Sequence, residues 1–560
     1  MTFAEKNLVE IDTVRRETGR AQDAAADPVA SVWVNANAGT GKTHVLTLRV
    51  LRILLSGTSP ERILCLTYTK AAAAEMAKRI FDTLGSWVTE SDTELGTKLR
   101  EIEGKAPDTI HLNFARTLFA RAIETPGGLK IQTIHAFAER LLQRFPLEAG
   151  IPPGFKILDD EQGRELKARA IEATLREATA DADTPLGKAL KTAVRYTTDR
   201  SFDDLLSRAI AERSFLDAAM RTGLSERPPD FAEASSYLRR GLAIRDTATV
   251  EAVEQERSEV LAAADIAALR DHLASGLATD ADLARKLADA LIQTGPRHRG
   301  VLLAAYFIDS EGKARSRLMT KALGESRPDL RQLAETAQNR FIRLTDELKA
   351  LTILEATTAL YSLADSVLGR YRDAKAASGA LDFDDLIEKT RNLLSTKQSS
   401  AWVLYKLDGG LDHILVDEAQ DTSPEQWSII EALGREFFAG TSARETERTI
   451  FAVGDEKQSI YSFQGARPEK FAEMGARFAN LARNAARTWR EVPLNLSFRT
   501  VQPLLDAVDA VFSDRTRTPG LSTRTEAIRH IASRFGQSGS IEIWETEQSP
   551  ESVASSPWTP

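Results

Sequence analysis

An α/β fold, with helices around a parallel sheet and a large all-helical insertion, is what this sequence of 560 residues predicts. Three observations carry that reading. Apolar, β-rich runs recur at Ser31–Val34, Ile63–Thr67, Leu129–Gln132, His413–Val416 and Ile450–Val453, most of them followed by a turn and a helical pattern. That succession marks βα units around a parallel sheet. The runs are nearly continuous in apolar character, as in Ile414-Leu415-Val416, which suits strands covered on both faces. Between 156 and 380 the strand signal fades into Ala-, Leu-, Arg- and Glu-rich sequence, and strands then resume.

Within the insertion, Leu344, Leu348, Leu351, Leu354, Leu360, Leu363 and Leu368 recur at helical spacing across Phe341–Ala374, a stripe best read as helix packing. Glu226-Arg227-Pro228-Pro229 and the region Gly295–Arg317 read as loops, and Gln548–Pro560, rich in Ser and Pro, as unstructured. After a Val501–Phe512 helix one more strand-like run follows, Ser540-Ile541-Glu542-Ile543-Trp544.

The length suggests about three to four domains. One cysteine, Cys65, excludes internal disulfides, a thiolate zinc site and a four-cysteine iron–sulfur cluster. Met1–Arg20 is charged throughout, without the apolar core of a signal peptide, and no window approaches the roughly 18 apolar residues of a membrane span. A cytoplasmic location is the expectation, with no membrane partner. A net charge of −8 excludes only a globally basic nucleic-acid binder, since a basic channel can sit in an acidic protein.

The chemistry starts at Ala36-Asn37-Ala38-Gly39-Thr40-Gly41-Lys42-Thr43, between the Ser31–Val34 run and the helical pattern Val45-Leu46-Leu48-Val50-Leu51. Strand, glycine turn, Gly-Lys-Thr and helix form the context of a phosphate-binding loop. Backbone N–H groups and the helix N-terminus face the phosphates, Lys42 reaches the β/γ-phosphates and Thr43 can hold Mg²⁺. Ala36 stands where the first glycine is usual. The second element is Leu415-Val416-Asp417-Glu418-Ala419-Gln420-Asp421. Asp417 at a strand end is placed to hold Mg²⁺, and Glu418 to orient and deprotonate the attacking water. Taken alone, the pair is equally a strand leading into an acidic helix N-terminus. The third element, Val453-Gly454-Asp455-Glu456-Lys457-Gln458-Ser459-Ile460-Tyr461, sets Gln458 at a strand's carboxyl edge, where open α/β sheets bind ligands. There it can sense the γ-phosphate; alone it would be an ordinary turn residue.

These segments, with Leu64–Met76, Gln132-Thr133-Ile134-His135-Ala136-Phe137, Phe463-Gln464-Gly465-Ala466 and Leu496-Ser497-Phe498-Arg499-Thr500, resemble the motifs of superfamily 1 helicases of the UvrD/Rep group in family order. Phe145–Gly150, Leu381–Leu386 and the Phe463–Ala466 variant are similar to the RecB/AddA branch, and to its AddA type, the helicase–nuclease subunits of bacterial double-strand-break repair. The resemblance implies a RecA-like domain 1A in two parts, 1–155 and 381–480, a 1B-like helical insertion at 156–380, and the start of a second RecA-like domain at 481–560. It further implies ATP and Mg²⁺ as cofactors, 3′→5′ translocation, single-stranded DNA and duplex ends as substrates, and an AddB-like partner subunit.

By the same resemblance Gln22, 20 positions before Lys42, matches the adenine-reading glutamine, whose ordinary alternative is a surface residue. Arg499 matches the arginine on the γ-phosphate and Phe498 the aromatic beside the adenine, with Ser497 in place of a common asparagine. Tyr68, Thr69, His135, Phe137, Tyr461 and Phe463 fall in motifs that line the DNA channel, where aromatic stacking tolerates any sequence; for each aromatic the alternative is core packing. Gln464 stands where many relatives have arginine. The family's later glycine-rich motif, second arginine finger and nuclease cluster are not recognisable before Pro560. The chain is therefore expected to match the N-terminal half of a longer protein. By itself it is expected to bind ATP–Mg²⁺ weakly and unwind no duplex. Two other readings stay open: a UvrD-like repair or anti-recombination translocase, and a non-catalytic ATP- and DNA-binding fragment.

Overall fold

The computed structural model describes residues 3–125, 128–220, 231–395, 400–408, 410–438, 447–518, 521, 529–534 and 536–545. Its strands are β1 (Ser31–Ala36), β2 (Ile63–Thr67), β3 (Lys130–Thr133), β4 (Lys156–Ile157), β5 (Ala380–Leu381), β6 (His413–Val416), β7 (Thr449–Gly454), β8 (Trp489–Leu494), β9 (Leu496–Val501) and β10 (Ile531–Arg534). The chain divides into two compact units, Met1–Ile157 with Gly379–Pro560, and Leu158–Ser378.

The first unit holds a parallel six-stranded sheet in the order β3-β2-β6-β7-β1-β8. Parallel pairing sets all six carboxyl ends along one edge, with Thr67 beside Thr133, Leu66 beside Val416 and Val34 beside Val453. Helices α1 (Phe3–Ala25), α2 (Lys42–Leu55), α3 (Lys70–Thr89), α4 (Asp92–Glu103), α5 (Thr109–Glu124) and α6 (Ile134–Arg144) belong to its N-terminal segment. Side chains alternate across each strand, and both faces are apolar. Val32, Val34, Ile63, Cys65, Leu415 and Phe451 join Leu46 and Val50 of α2 and Met76 and Ile80 of α3 in one core. Trp33, Leu64, Leu66, Ile414 and Val416 join Phe137 and Leu141 of α6, Trp427, Phe471 and Phe478 in the other. There Trp33 stacks on Phe471 at 4.9 Å and on Trp427 at 5.6 Å between ring centroids. Burial pushes the Cys65 thiol up to about 12, which leaves it an inert core residue.

A buried arginine anchors this unit. Arg49 of α2 is fully buried and donates to the carbonyls of Ala25 (3.1 Å), Asp27 (2.6 Å) and Ala30 (2.6 Å) and to Thr449 Oγ1 (3.0 Å). Arg52, one turn on, donates to Asp23 O at 3.0 Å and to its Oδ1 at 2.6 Å. The two arginines tie the end of α1 and its link to β1 onto the helix that follows the glycine loop.

The second unit is helical around one spine, Pro328–Ala377, of 50 residues, about 75 Å at 1.5 Å per residue. Three clusters line it: Leu330, Ala334, Ala337 and Phe341; then Leu344, Leu351 and Leu354; then Ala359, Leu363, Val367 and Tyr371. The predicted leucine stripe thus runs through the last two.

Sequence and structure part at several places. Gly295–Arg317 is not all loop, because Pro296–Phe307 is a helix with proline in its first turn. Leu303, Tyr306 and Phe307 are fully buried, and Arg315 closes the end by donating to the carbonyls of Ala305, Tyr306 and Ile308 at 2.9–3.1 Å. Ser540–Trp544 is not a strand: it has no pairing partner among the described residues, and Ile543 and Trp544 are 93% and 84% exposed. β10 pairs with β9 instead. Trp489–Leu494, expected beyond a boundary at 480, is the sheet's edge strand beside β1. The Glu226–Pro229 and Gln548–Pro560 readings lie outside the described residues. No described helix is long and apolar enough to cross a membrane.

Candidate nucleotide and nucleic-acid site

β1 ends at Ala36, buried and in register with Leu494. The chain then turns through Asn37, Ala38, Gly39, Thr40 and Gly41 into α2. Gly39 and Gly41 hold φ of 73° and 87°, whereas Ala36 is not among the positive-φ residues. Glycine is therefore required at the two later positions, and alanine is tolerated at the first. Asn37 N donates to Leu494 O at 2.9 Å, and Thr40 Oγ1 to Asn37 O at 2.9 Å, which closes the loop on itself. α2 begins at Lys42 without a side-chain cap, so the N–H groups of its first turn, those of Lys42 and Thr43 included, remain available to an anion. Gln22 of α1 reaches the same loop, its Nε2 3.5 Å from Thr40 O.

β6 delivers the carboxylates. Asp417 N donates to Leu66 O at 2.8 Å. Its buried Oδ1 has no hydrogen-bond partner, and burial, then the Glu418 charge, push the carboxyl up to about 6. An orphaned carboxylate oxygen fits a divalent cation, with Thr43 the other candidate donor; Mg²⁺ takes few protein ligands and keeps several waters. Glu418 has φ 48° and ψ 45°, a left-handed conformation that a side chain adopts at a cost. Its Oε2 lies 3.1 Å from Lys42 Nζ and accepts from Gln420 Nε2 at 2.8 Å.

Gln420, which sequence reasoning passed over, joins two elements. Fully buried, it donates to Glu418 and to Asp421 Oδ2 (3.1 Å) and accepts from Asp455 N (2.9 Å). Asp455 in turn accepts from Gln458 Nε2 at 2.5 Å and pairs with Lys457 at 2.7 Å. The residues of the second and third motifs thus form one hydrogen-bonded chain. Position alone hinted at Gln420, between Glu418 and Asp421; its burial is a tertiary fact.

β9 lies over the loop. Phe498 N donates to Gly39 O at 2.8 Å, and a Cβ on Gly39 would stand 2.7 Å from Arg499 Cβ and 2.9 Å from Ser497 Oγ. Close approach and positive φ both demand glycine there. Arg499 is thereby set against the loop, and Phe498 is 42% exposed beside it.

The aromatic residues divide. Tyr68 and Tyr461 lie 4.4 Å apart between centroids, with Phe463 6.0 Å beyond Tyr461 and 77% exposed. Burial, then the charge of Asp421, raises the Tyr68 pKa. His135 packs edge-on to Phe383 at 5.6 Å, and burial lowers its pKa. Phe137 is in the hydrophobic core, away from this exposed row. The Thr69 hydroxyl caps α3 by accepting from Ala72 N at 3.1 Å.

A parallel sheet with a glycine loop, a lysine and an Asp-Glu pair along its carboxyl edge defines a P-loop domain. The chain belongs to the UvrD/REP helicase family: the model of that family's N-terminal domain matches residues 18–479. It is similar to proteins whose names make them the A-type subunit of an ATP-dependent helicase/nuclease. Three of these come from Anoxybacillus flavithermus (25% identity over 86% of this chain and 38% of the relative), Lactiplantibacillus plantarum (26%, over 87% and 38%) and Pelotomaculum thermopropionicum (28%, over 86% and 37%). The chain spans about 38% of the length of these curated relatives.

Proposed function

We propose that the chain is the ATP-binding motor portion of an AddA-like DNA helicase or translocase, moving 3′→5′ on single strands and acting at duplex ends in double-strand-break repair and recombination, with an AddB-like partner subunit. One observation carries the reading: Lys42, Glu418 and Arg499 converge on a single glycine loop, along the sheet edge that also bears Tyr68 and Tyr461. The names of the relatives support the activity.

ATP is the substrate. Its phosphates enter the loop against the first-turn N–H groups of α2, and Gln22 meets the adenine with Phe498 beside it. Lys42 exchanges the Glu418 carboxylate for phosphate oxygens. Glu418, released, takes the proton of the attacking water, a role worth about 10²–10⁴ in rate. Arg499 stabilises charge on the far side of the γ-phosphate, where such a group contributes about 10³–10⁵. Mg²⁺ held by Thr43 and Asp417 would supply charge neutralisation at the phosphates.

Coupling to DNA follows from the chain Glu418–Gln420–Asp455–Gln458, which leads along the backbone to Tyr461 and Phe463. Loss of the γ-phosphate alters what Glu418 and Gln458 bond, and the aromatic row is a few residues away. Stacking on such rows contributes about 1–3 kcal/mol per base. Oligonucleotide binding to Phe463→Ala tests the site: affinity is expected to fall about 5- to 150-fold with ATP affinity unchanged. An unchanged oligonucleotide affinity would remove Phe463 from it.

A further inference from the structure

A second cationic feature lies away from the nucleotide. Lys130 and Gln132 of β3, Arg140 and Arg144 of α6, and Lys406 and Gly410 surround a cleft at the sheet's β3 edge. Phe137, Arg140, Leu141 and Arg144 recur at intervals of three and four and so share one face of α6.

Among the side chains the structure describes, no carboxylate is in ion-pair contact with Lys130, Arg140, Arg144 or Lys406. The contacts they do make are weak: Lys130 Nζ stands 3.5 Å from Gly410 O, Arg144 lies over the Phe145 ring at 5.3 Å and Lys406 over the Trp402 ring at 4.6 Å. Burial lowers the Lys130 pKa; the field of Glu61 opposes that and the charge of Arg144 adds to it. Like charges held together in a protein of net charge −8 repel unless an anion joins them. The cleft also contains an independent mark of a ligand. Gln132 is 6% exposed, and its buried Oε1 has no hydrogen-bond partner; a buried polar atom left unpaired is costly.

Location favours a phosphodiester strand over other anions. α6 starts at the carboxyl edge of the sheet, where Thr133, in register with Thr67 of the neighbouring strand, caps it and His135 follows. It then runs about 13 Å, at 1.5 Å per residue, to Arg144. A chain of phosphates leaving the aromatic row along this helix meets Arg140 and Arg144 in turn, and base N–H groups, thymine's ring N–H included, match the Gln132 acceptor. We propose that this cleft binds the phosphodiester backbone of a single DNA strand that has passed the aromatic row and follows α6 toward the opposite end of the sheet. The proposal rests on the DNA-motor reading above.

Salt dependence of binding tests it, using thymidine homopolymers of increasing length. Each phosphate neutralised on a single strand adds about 0.7 to the slope of log K against log salt. Arg140→Gln with Arg144→Gln is expected to lower the slope by about 1.4 for polymers long enough to leave the row, and to leave the shortest bound polymer unaffected. Lysine at both positions should restore the slope. An unchanged slope for the long polymers would overturn the cleft while leaving the motor reading intact. Pyrophosphate binding that the double glutamine variant loses, with the polymer slopes unchanged, would also overturn it, in favour of a free phosphoanion. Absence of polymer binding to the unmodified chain at every length would instead overturn the motor reading itself, and the cleft with it.

Discussion

Lys42 Nζ stands 3.1 Å from Glu418 Oε2, so the phosphate-binding cation and the proposed general base neutralise each other across the glycine loop. In the proposed mechanism nucleotide breaks this pair: the lysine turns to phosphate oxygens, and only then is the carboxylate free to accept a proton from water. On that proposal the pair is a resting lock as well as a set of active-site parts.

Glu418→Gln removes the base and the lock together. Hydrolysis in the full-length protein is expected to fall about 10²–10⁴-fold, with ATP still bound. Lys42→Ala should abolish hydrolysis through lost phosphate contact. Near-normal turnover in Glu418→Gln would take that residue out of the mechanism.

Gln420 offers a separable effect. Replacing it with leucine cuts the links to Glu418 and Asp455 while leaving the loop untouched. ATP affinity should change little, and stimulation of hydrolysis by single-stranded DNA should be lost. Equal loss of basal and stimulated rates would make Gln420 merely structural.

Asp417 predicts a pH signature. Its carboxyl is raised from 3.8 to about 6, chiefly by burial. At about pH 3 and below the group is protonated whether folded or unfolded and carries no penalty; between 3.8 and about 6 the unfolded chain is ionised while the folded one holds its proton, so stability falls across that range and stays low above it. In metal-free buffer Asp417→Asn should therefore stabilise the protein above pH 6, by on the order of 2 kcal/mol, and make no difference at about pH 3. Thermal melts at the two pH values check this. Mg²⁺ should reverse the order in the unmodified protein's favour, because the cation needs the ionised carboxylate.

Arg49 is a structural linchpin of the same site. Arg49→Leu leaves the carbonyls of Ala25, Asp27 and Ala30 without their buried donor, and each unsatisfied group costs about 1–3 kcal/mol. A loss of about 3 kcal/mol or more in chemical denaturation is expected. Arg52→Ala, at the surface end of the tie, should cost less and act mainly on nucleotide selectivity by loosening Gln22.

What could be read from the sequence follows from which signals are local. The central strands were legible because burial on both faces forces unbroken apolar runs, as in Ile63–Leu66 and His413–Val416. β8 was not, since an edge strand carrying Arg490, Glu491 and Pro493 lacks such a run. Ser540–Trp544 alternates like a strand, but alternation supplies no partner. The glycine loop and the Asp-Glu pair are contiguous, so their chemistry stands in the residue order. Gln420 and Arg49 act through burial and through partners up to 400 positions away, and a lone Gln or Arg in a helical or turn pattern reads as a solvated face. Phe137 and Thr69 illustrate the converse: motif position suggested the DNA channel, and local geometry puts one in the core and uses the other as a helix cap.

Titration of Mg²⁺–ATP into the 560-residue chain and two variants measures the central claim most directly, because binding requires the loop and its lock without a complete catalytic cycle. The account predicts a fixed order of affinity: Glu418→Gln, with the lysine released, binds a few-fold tighter than the unmodified chain, and Lys42→Ala shows no saturable binding. Binding by Lys42→Ala equal to that of the unmodified chain, or binding by Glu418→Gln as weak as that of Lys42→Ala, would contradict it.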